Sequence, residues 1–447
     1  MKKLLRIGCG AGFAGDRLDA PLALVEHGKL DYLVLECLAE RTIALAQLRR
    51  RRDPAAGYDA RLIERVTPLL PLLKRHRVRL VSNFGAANPV AAAEAIVALA
   101  RELGIPITVA AVSGDDVLAA LDPAEPTLET GRPIADYAPR VSANAYLGAE
   151  ALLPALASGA DIVVTGRVAD PSLFLAPLMH RFGWSPDDLD RLAKGTAVGH
   201  LLECAGQLCG GYFADPGRKD VPGMAHLGFP FADVTEDGTA TLSKVEGSGG
   251  AITLATATEQ LLYEVTDPFG YVTPDVTADF STVRLADLGH DRVRVEGARG
   301  RARPARLKVS VGYAAGYVGE GEIGYAGTNA QGRAELAAAI VRERLQGLFD
   351  EIRVDLIGVT SLHGRAFDAS TRPYEVRLRI AARAPTPELA ARVGDEVEAL
   401  YTNGPAGGGG TRTYVHEQIG IASTLIDRAR VQSRVTLHDW AGHAETA

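Results

Sequence analysis

Cysteine, long apolar runs and excess positive charge are all scarce in this chain, and each shortage removes a class of protein. Four cysteines stand among 447 residues, at Cys9, Cys37, Cys204 and Cys209. They are scattered and form no CxxC pair, which excludes a disulfide scaffold and leaves reduced thiols in a cytosol as the expectation. No apolar run approaches the roughly 18 to 20 residues that a membrane span needs. The opening Met1-Lys2-Lys3-Leu4-Leu5 imitates a signal peptide, but Arg6 and the glycines behind it interrupt any hydrophobic stretch. A first strand is the better reading there, and a cytoplasmic location is expected. Lys and Arg number 48 against 55 Asp and Glu, for a net charge of −7, so there is no footprint for nucleic acid. The one basic block, residues 49–52, reads as a solvated helix end. No GxSxG occurs, which argues against an α/β-hydrolase elbow, and no repeat of fixed period appears.

What is present fits a soluble, enzyme-sized protein of 47% hydrophobic residues, with two domains expected, 1–223 and 224–447. The first half alternates apolar strand patterns with helical ones, the signature of an α/β fold with a mainly parallel, Rossmann-like sheet and flanking helices. Strands are expected at 4–7, 31–35, 78–82, 107–112 and 161–165. Helices are expected near 20–27, 43–52, 61–75, 90–103 and 147–157, with another running from Asp115 through Leu121. The residues following each strand should share one edge of the sheet, where α/β folds present ligands. They include Gly12, Glu36, Asn83, Asp115 and Arg167. Beyond about residue 221 hairpin and glycine-loop signals take over, predicting a C-terminal α+β domain with a mixed or antiparallel sheet.

Four stretches carry candidate chemistry. Gly8, Gly10 and Gly12 follow the first strand, but Phe13 stands where a dinucleotide fingerprint has its third glycine. A plain tight turn, an anion site built from backbone N–H groups and a nucleotide site all remain open. Asn83 is placed at a strand end, as Glu36 is; Asn88 before Pro89 fits a helix cap or a ligand contact. Asp115 and Asp116 read as a cap or a divalent-ion pair. In residues 161–213, the strand delivers Gly166-Arg167-Val168-Ala169-Asp170, and a helix follows from about Leu173 with Ser172 or Asp170 as its cap. Then a helix over Gly199-His200 and Glu203-Cys204 would put His200, Glu203, Cys204 and Gln207 on one face. Another glycine loop, Gly247-Ser248-Gly249-Gly250, could also meet an anion.

These motifs together resemble the acyclic terpene utilisation, AtuA-type, family over most of the chain. The residues carrying the likeness are Gly10-Ala11-Gly12-Phe13-Ala14-Gly15-Asp16-Arg17, Asp31-Tyr32-Leu33 with Leu38-Ala39-Glu40, and Ser82-Asn83 with Asn88-Pro89. Gly114-Asp115-Asp116, Val163-Val164-Thr165-Gly166-Arg167-Val168-Ala169-Asp170, Gly199-His200 with Glu203-Cys204, and Gly210-Gly211 complete it. Cys9 and Ala11 depart from the small polar residues expected in the first loop. The resemblance implies a place in the breakdown of branched acyclic terpenoid acids through CoA thioesters, without naming the step.

The residue types suit proton transfer beside a carbonyl, followed by addition or elimination of water. His200, Asp170, Glu203, Glu40 and Asp16 are the candidate acids and bases. Arg167, Arg17, Gly10, Gly12, Asn83, Gly166, Gly210 and Gly211 are the candidate substrate contacts, with arginine forks for a carboxylate and backbone donors for an oxyanion. The expected activity is a hydratase or dehydratase on a branched carboxylic acid or its CoA thioester. An acyl-CoA transferase or thioesterase using Cys204 is one alternative, and a non-catalytic binding or scaffold subunit the other. His200 with Glu203 or Asp170 gives an incomplete metal shell, so no metal is assigned. His200 is alternatively a packed, hydrogen-bonded histidine. No cofactor is assigned beyond CoA as part of the substrate. A small-molecule substrate and a homo-oligomer are the expected partners, with a small partner subunit as a further candidate; nucleic acid and membrane are not.

Overall fold

A computed structural model describes residues 4–364 and 373–442. The chain divides into two compact units, one running up to Gly312 and resuming at Ile421, the other spanning Tyr313–Gly420. The boundary expected at 223/224 falls inside the first unit.

The first unit is built on a ten-stranded sheet. Its centre consists of β1 (Leu4–Ala11), β2 (Tyr32–Leu35), β3 (Arg79–Ser82) and β4 (Ile107–Ser113), while β5 (Arg140–Ala145) lies off this sheet and β6 (Ile162–Thr165) inserts between β3 and β4. The order β1-β2-β3-β6-β4 is parallel throughout. Their β-branched and leucine-rich sequences are buried on both faces, as central parallel strands require. The helices are α1 (Asp19–His27), α2 (Glu40–Arg52), α3 (Leu62–His76), α4 (Pro89–Glu102), α5 (Leu153–Ala157), α6 (Asp170–Phe182) and α7 (Leu189–Glu203). Because all five strands run the same way, the residues after them share one edge, as expected.

Beyond α7 the sheet continues antiparallel. β7 (Pro230–Thr235) pairs with β1, β8 (Ala240–Lys244) pairs with β7, and α8 (Leu254–Leu262) follows. After β9 (Tyr271–Val272) and β10 (Thr277–Asp279), β11 (Arg284–Asp287) and β12 (Val293–Glu296) close that side of the sheet. β13 (Arg299–Arg301) joins β9 and β10 in a small separate sheet.

The second unit forms on β14 (Arg306–Ala326), whose first residues still belong to the first unit, where β14 pairs with β5. α9 (Ala330–Arg344), β15 (Ile352–Ile357), β16 (Glu375–Ala384), α10 (Pro387–Glu398), α11 (Leu400–Asn403) and β17 (Gly409–Asp427) follow. β14, β15 and β16 are antiparallel, and Leu378 and Ile380 of β16 share a core with Ala337, Val341, Val393 and Val397 from the helices. The last strand, β18 (Arg434–Trp440), returns to the first unit and pairs antiparallel with β4. The fold class is thus the expected one, an α/β layer with parallel strands plus an α+β region with an antiparallel sheet.

Several local expectations change. Asp115 caps no helix: Asp116 bridges to Asn144, residues 118–120 form a turn, and the buried Asp115 carboxylate accepts hydrogen bonds instead from Arg167 N (2.9 Å) and Asn144 Nδ2 (2.8 Å). The helix expected at 147–157 is a 3-10 turn, Ala149–Leu152, running into the short α5. α6 has Ala169 at its cap; Asp170 turns to Arg167, and the Ser172 hydroxyl donates to Asp275. α7 ends at Glu203, so Gln207 is not on its face and lies in a separate turn. Gly249 lies against the backbone of Gly223 and His226, so that loop packs rather than opening toward an anion. No helix among the described residues is long and apolar enough to cross a membrane.

Candidate functional site

The loops after β1, β2 and β6 meet the C-terminal end of α7 around a cavity of about 730 Å³, which lies wholly within the first unit. Its carboxyl groups come from Asp16, Glu36, Glu40, Asp170, Glu203 and Glu264, and its guanidinium groups from Arg17 and Arg167. Of the residues expected at a site, Gly12, Asp16, Arg17, Glu40, Arg167, Asp170, Glu203 and Gly211 line it. Gly10, Asn83, Gly166, His200 and Gly210 do not.

Each residue outside the lining has a packing role. A Cβ on Gly10 would come within 2.6 Å of Leu35 Cδ2, and one on Gly166 within 2.4 Å of Asp115 Oδ1. Both glycines therefore allow neighbouring strand ends to close up. Gly210 takes a left-handed φ of 102° beside Val221. Asn83, fully buried, accepts from Cys37 N (2.7 Å) and donates to Glu36 Oε1 (2.8 Å). It therefore orients a cavity carboxyl from the strand between β2 and β6.

The first glycine loop is closed on itself. Gly12 N donates to Asp16 Oδ2 at 2.7 Å, so that donor is already taken by protein. Arg61, just before α3, and Arg65 within it hold the carbonyls of Asp16 and Ala14. A Cβ on Gly12 would meet the Cys204 backbone at 2.6 Å, which brings this loop directly onto the end of α7. Burial raises the Asp16 carboxyl, with the loop N–H groups of Gly12 and Arg17 opposing the rise.

Arg167 is 1% exposed. Its side chain makes four hydrogen bonds, all to protein: two to Val168 O, one to Leu38 O and one to Asp170. The guanidinium also lies 4.5 Å from the centre of the Tyr146 ring. Burial would lower its pKa, but Asp170, Tyr146 and the glutamates Glu36 and Glu40 outweigh it and raise the value. Arg167 is thus a fixed cation that ties the β2 and β6 loops together.

Glu40, the first residue of α2, accepts from the Tyr146 hydroxyl and from Lys308 Nζ (3.2 Å). Burial works against its ionisation, yet Tyr146, its own backbone N–H, Lys308 and Arg167 bring it down to about 2. Glu36 behaves oppositely: burial first, then the Asp170 charge, push it well above the ordinary range. Neither Tyr146 nor Lys308 carries a sequence signal, since each reaches Glu40 only through the pairing of β5 with β14.

At the far wall, His200 Nδ1 and Glu203 Oε1 are 2.9 Å apart. The imidazole is 1% exposed and packs on Tyr271 and Phe280, with ring centres 5.2 and 5.7 Å away. Burial lowers His200 to about 4, against the opposing pull of nearby backbone carbonyls. Burial also raises Glu203 well above its usual value, with Asp170 and Glu264 adding to the rise. At neutral pH the imidazole is therefore neutral, and burial disfavours the charged form of the carboxyl beside it. Glu203 Oε2 and His200 Nε2 are both buried without a hydrogen-bond partner. Cys204 lies beside Glu203 on the cavity wall, and burial followed by the Glu203 charge raises its thiol far from the thiolate range.

The chain matches the family described as acyclic terpene utilisation family protein AtuA over residues 5–437. It belongs to that family. No curated protein and no solved structure matches it. Membership of the AtuA family points to a role in acyclic terpene utilisation. In this AtuA-family chain, Glu264 is the lining carboxyl that the sequence did not single out. It follows α8 with a left-handed φ of 58°, a conformation that non-glycine residues rarely adopt and that clusters at functional sites. Tyr212, exposed on the same wall, has a φ of 61° and lies edge-on to Tyr263, with ring centres 6.1 Å apart. Among the described residues no group of three or more His, Cys, Asp or Glu side chains is arranged to hold a metal ion.

Proposed function

We propose that this AtuA-family protein is a hydratase or dehydratase acting on a branched carboxylic acid or its CoA thioester. The observation that carries this reading is Glu203, a cavity carboxyl that burial raises well above its usual range, 2.9 Å from a buried His200 that burial lowers to about 4. A carboxyl raised by burial is suited to a general acid or base role. In the dehydration direction a base takes the proton next to the carbonyl and an acid protonates the departing hydroxyl. Water leaves and a carbon–carbon double bond forms; hydration is the reverse. Glu203 takes one of these roles and Glu36 or Asp170 the other, with His200 positioning Glu203. Arg167 acts by holding Asp170 and the surrounding loops. The raised thiol of Cys204 speaks against a transferase or thioesterase route, because the thiolate is the nucleophile.

The test is to incubate the purified protein with short branched acids and their CoA esters and look for the gain or loss of one water by mass spectrometry. Glu203→Gln keeps the shape and can still hydrogen-bond His200. It should melt like the native protein while turnover falls on the order of 10²-fold or more. Unchanged turnover in the folded variant would remove Glu203 from the mechanism. Binding without turnover in the native protein would favour a carrier or scaffold.

A further inference from the structure

We propose that Glu40 is the acceptor for a hydroxyl group on the ligand, with Tyr146 and Lys308 as the positioning residues that hold it. The inference deepens the hydro-lyase reading by naming the group that seats the departing hydroxyl or the incoming water, and its test reads binding apart from turnover. Glu40 opens α2, where the helix N-terminus favours a carboxylate. It lines the cavity with a side chain that is 38% exposed. The Tyr146 hydroxyl and Lys308 Nζ both reach the same oxygen, Oε1, so neither of them occupies Oε2. The Tyr146 ring meets two cations, with the Arg167 guanidinium 4.5 Å and Lys308 Nζ 4.9 Å from its centre. Ser310 Oγ lies 3.5 Å from the Tyr146 hydroxyl. The carboxylate is thus fixed by residues from three separate segments: the loop after β5, the first part of β14 and the loop after β6.

A hydroxyl donates most strongly to an acceptor that carries a full charge. Burial raises the carboxyls of Asp16, Glu36, Asp170 and Glu203. Glu40 differs in what faces it, namely Tyr146, Lys308, Arg167 and the Asp170 carboxyl. Burial opposes its ionisation, but the Tyr146 hydroxyl, its own backbone N–H, Lys308 and Arg167 prevail and bring it down to about 2. Such a group is a poor base. Glu40 therefore orients the hydroxyl and leaves proton transfer to the raised carboxyls.

The experiment measures calorimetric binding of two matched probes to the full chain, 3-hydroxy-3-methylbutanoyl-CoA and 3-methylbutanoyl-CoA, at about pH 8 and about pH 5. The CoA part is common to both and cancels in the ratio of affinities. The native protein should prefer the hydroxylated probe by about tenfold at both pH values. Glu40→Gln should cut that preference to about twofold while leaving the other probe's affinity unchanged. Tyr146→Phe keeps the ring against Arg167 and Lys308 but removes the hydrogen bond, so the Glu40 pKa rises. The preference should then survive in alkali and fall several-fold in acid. Lys308→Met, at a partly exposed side chain, should act in the same direction. Equal binding of the two probes by the native protein, or failure of either to bind, would overturn the inference. Equal weakening of both probes at both pH values in Tyr146→Phe and Lys308→Met would also overturn it, as the mark of a merely structural role. The expected preference without any water-exchange product would leave this inference standing and sink the hydro-lyase reading instead.

Discussion

At His200, burial ties stability to pH. Its native-state pKa of about 4 lies below the ordinary 6.5, so the unfolded chain binds a proton that the native chain refuses. The stabilisation from this source is complete above about pH 6.5 and is lost as pH falls toward about 4. Its size is on the order of 3 kcal/mol for a shift of this extent in a fully buried group. Glu203 carries the opposite sign: its raised pKa adds stability in acid that is lost as pH climbs through the raised value. His200→Gln should therefore be less stable at neutrality, having lost its packing on Tyr271 and Phe280, yet show a shallower decline toward acid. Urea unfolding at several pH values between about 6.5 and 4 reads this directly. A decline as steep as in the native protein would show that His200 is not the group responsible.

Among the elements, β18 has the clearest consequence. Its seven residues cover the free edge of β4 from Ile107 to Ser113, and Val435 and Trp440 pack against the main core. β4 is buried along most of its length and carries no edge protection of its own, neither proline nor lysine. A chain ending at Gln432 would expose that apolar edge, the situation that promotes strand-to-strand association. Such a truncation should lower the melting temperature by several degrees, about 2–4 °C for each kcal/mol lost in a domain of this size, and raise aggregation in light scattering. A truncated protein that stays monodisperse and melts with the native one would mean that β4 needs no cover.

For the whole molecule, the unit Tyr313–Gly420 lies between two stretches of the first unit in the chain. It has its own apolar cluster, in which Ile323, Tyr325 and Leu378 are essentially fully buried. A fragment of residues 313–420 should fold alone and unfold cooperatively, as a domain of about 100 residues with one core can. Circular dichroism during thermal unfolding tests this. A non-cooperative, largely unstructured fragment would show that the cluster depends on the rest of the chain. The candidate cavity draws nothing from this unit, so its ligand binding should not require residues 313–420 beyond what joins the chain.

Local pattern was enough to define the parallel half of the fold and the sheet edge that carries its loops. Short β-branched runs such as Ile162-Val163-Val164-Thr165 bury on both faces wherever they are placed, and glycine and asparagine follow them where strand ends must crowd. Hence Gly12, Asp16, Glu40, Arg167, Asp170 and Glu203 could be nominated from order along the chain and are found around one cavity. Their protonation states were not legible, because desolvation depends on what distant segments pile on top. His200 became a buried neutral ring only when Tyr271 and Phe280 covered it, and the Glu40 carboxyl is lowered first by the Tyr146 hydroxyl, with Lys308 of β14 adding to it. Asp115 looked like a helix cap because its neighbours in sequence allow one. The tertiary structure spends it on Arg167 N, fifty-two residues away. The domain boundary was hidden for a similar reason, since β7 and β18 return to the first sheet by pairings between residues far apart in the chain. Periodicity records which face of a segment is apolar, but partner, register and burial are properties of the assembled sheet, and only the tertiary structure decided them.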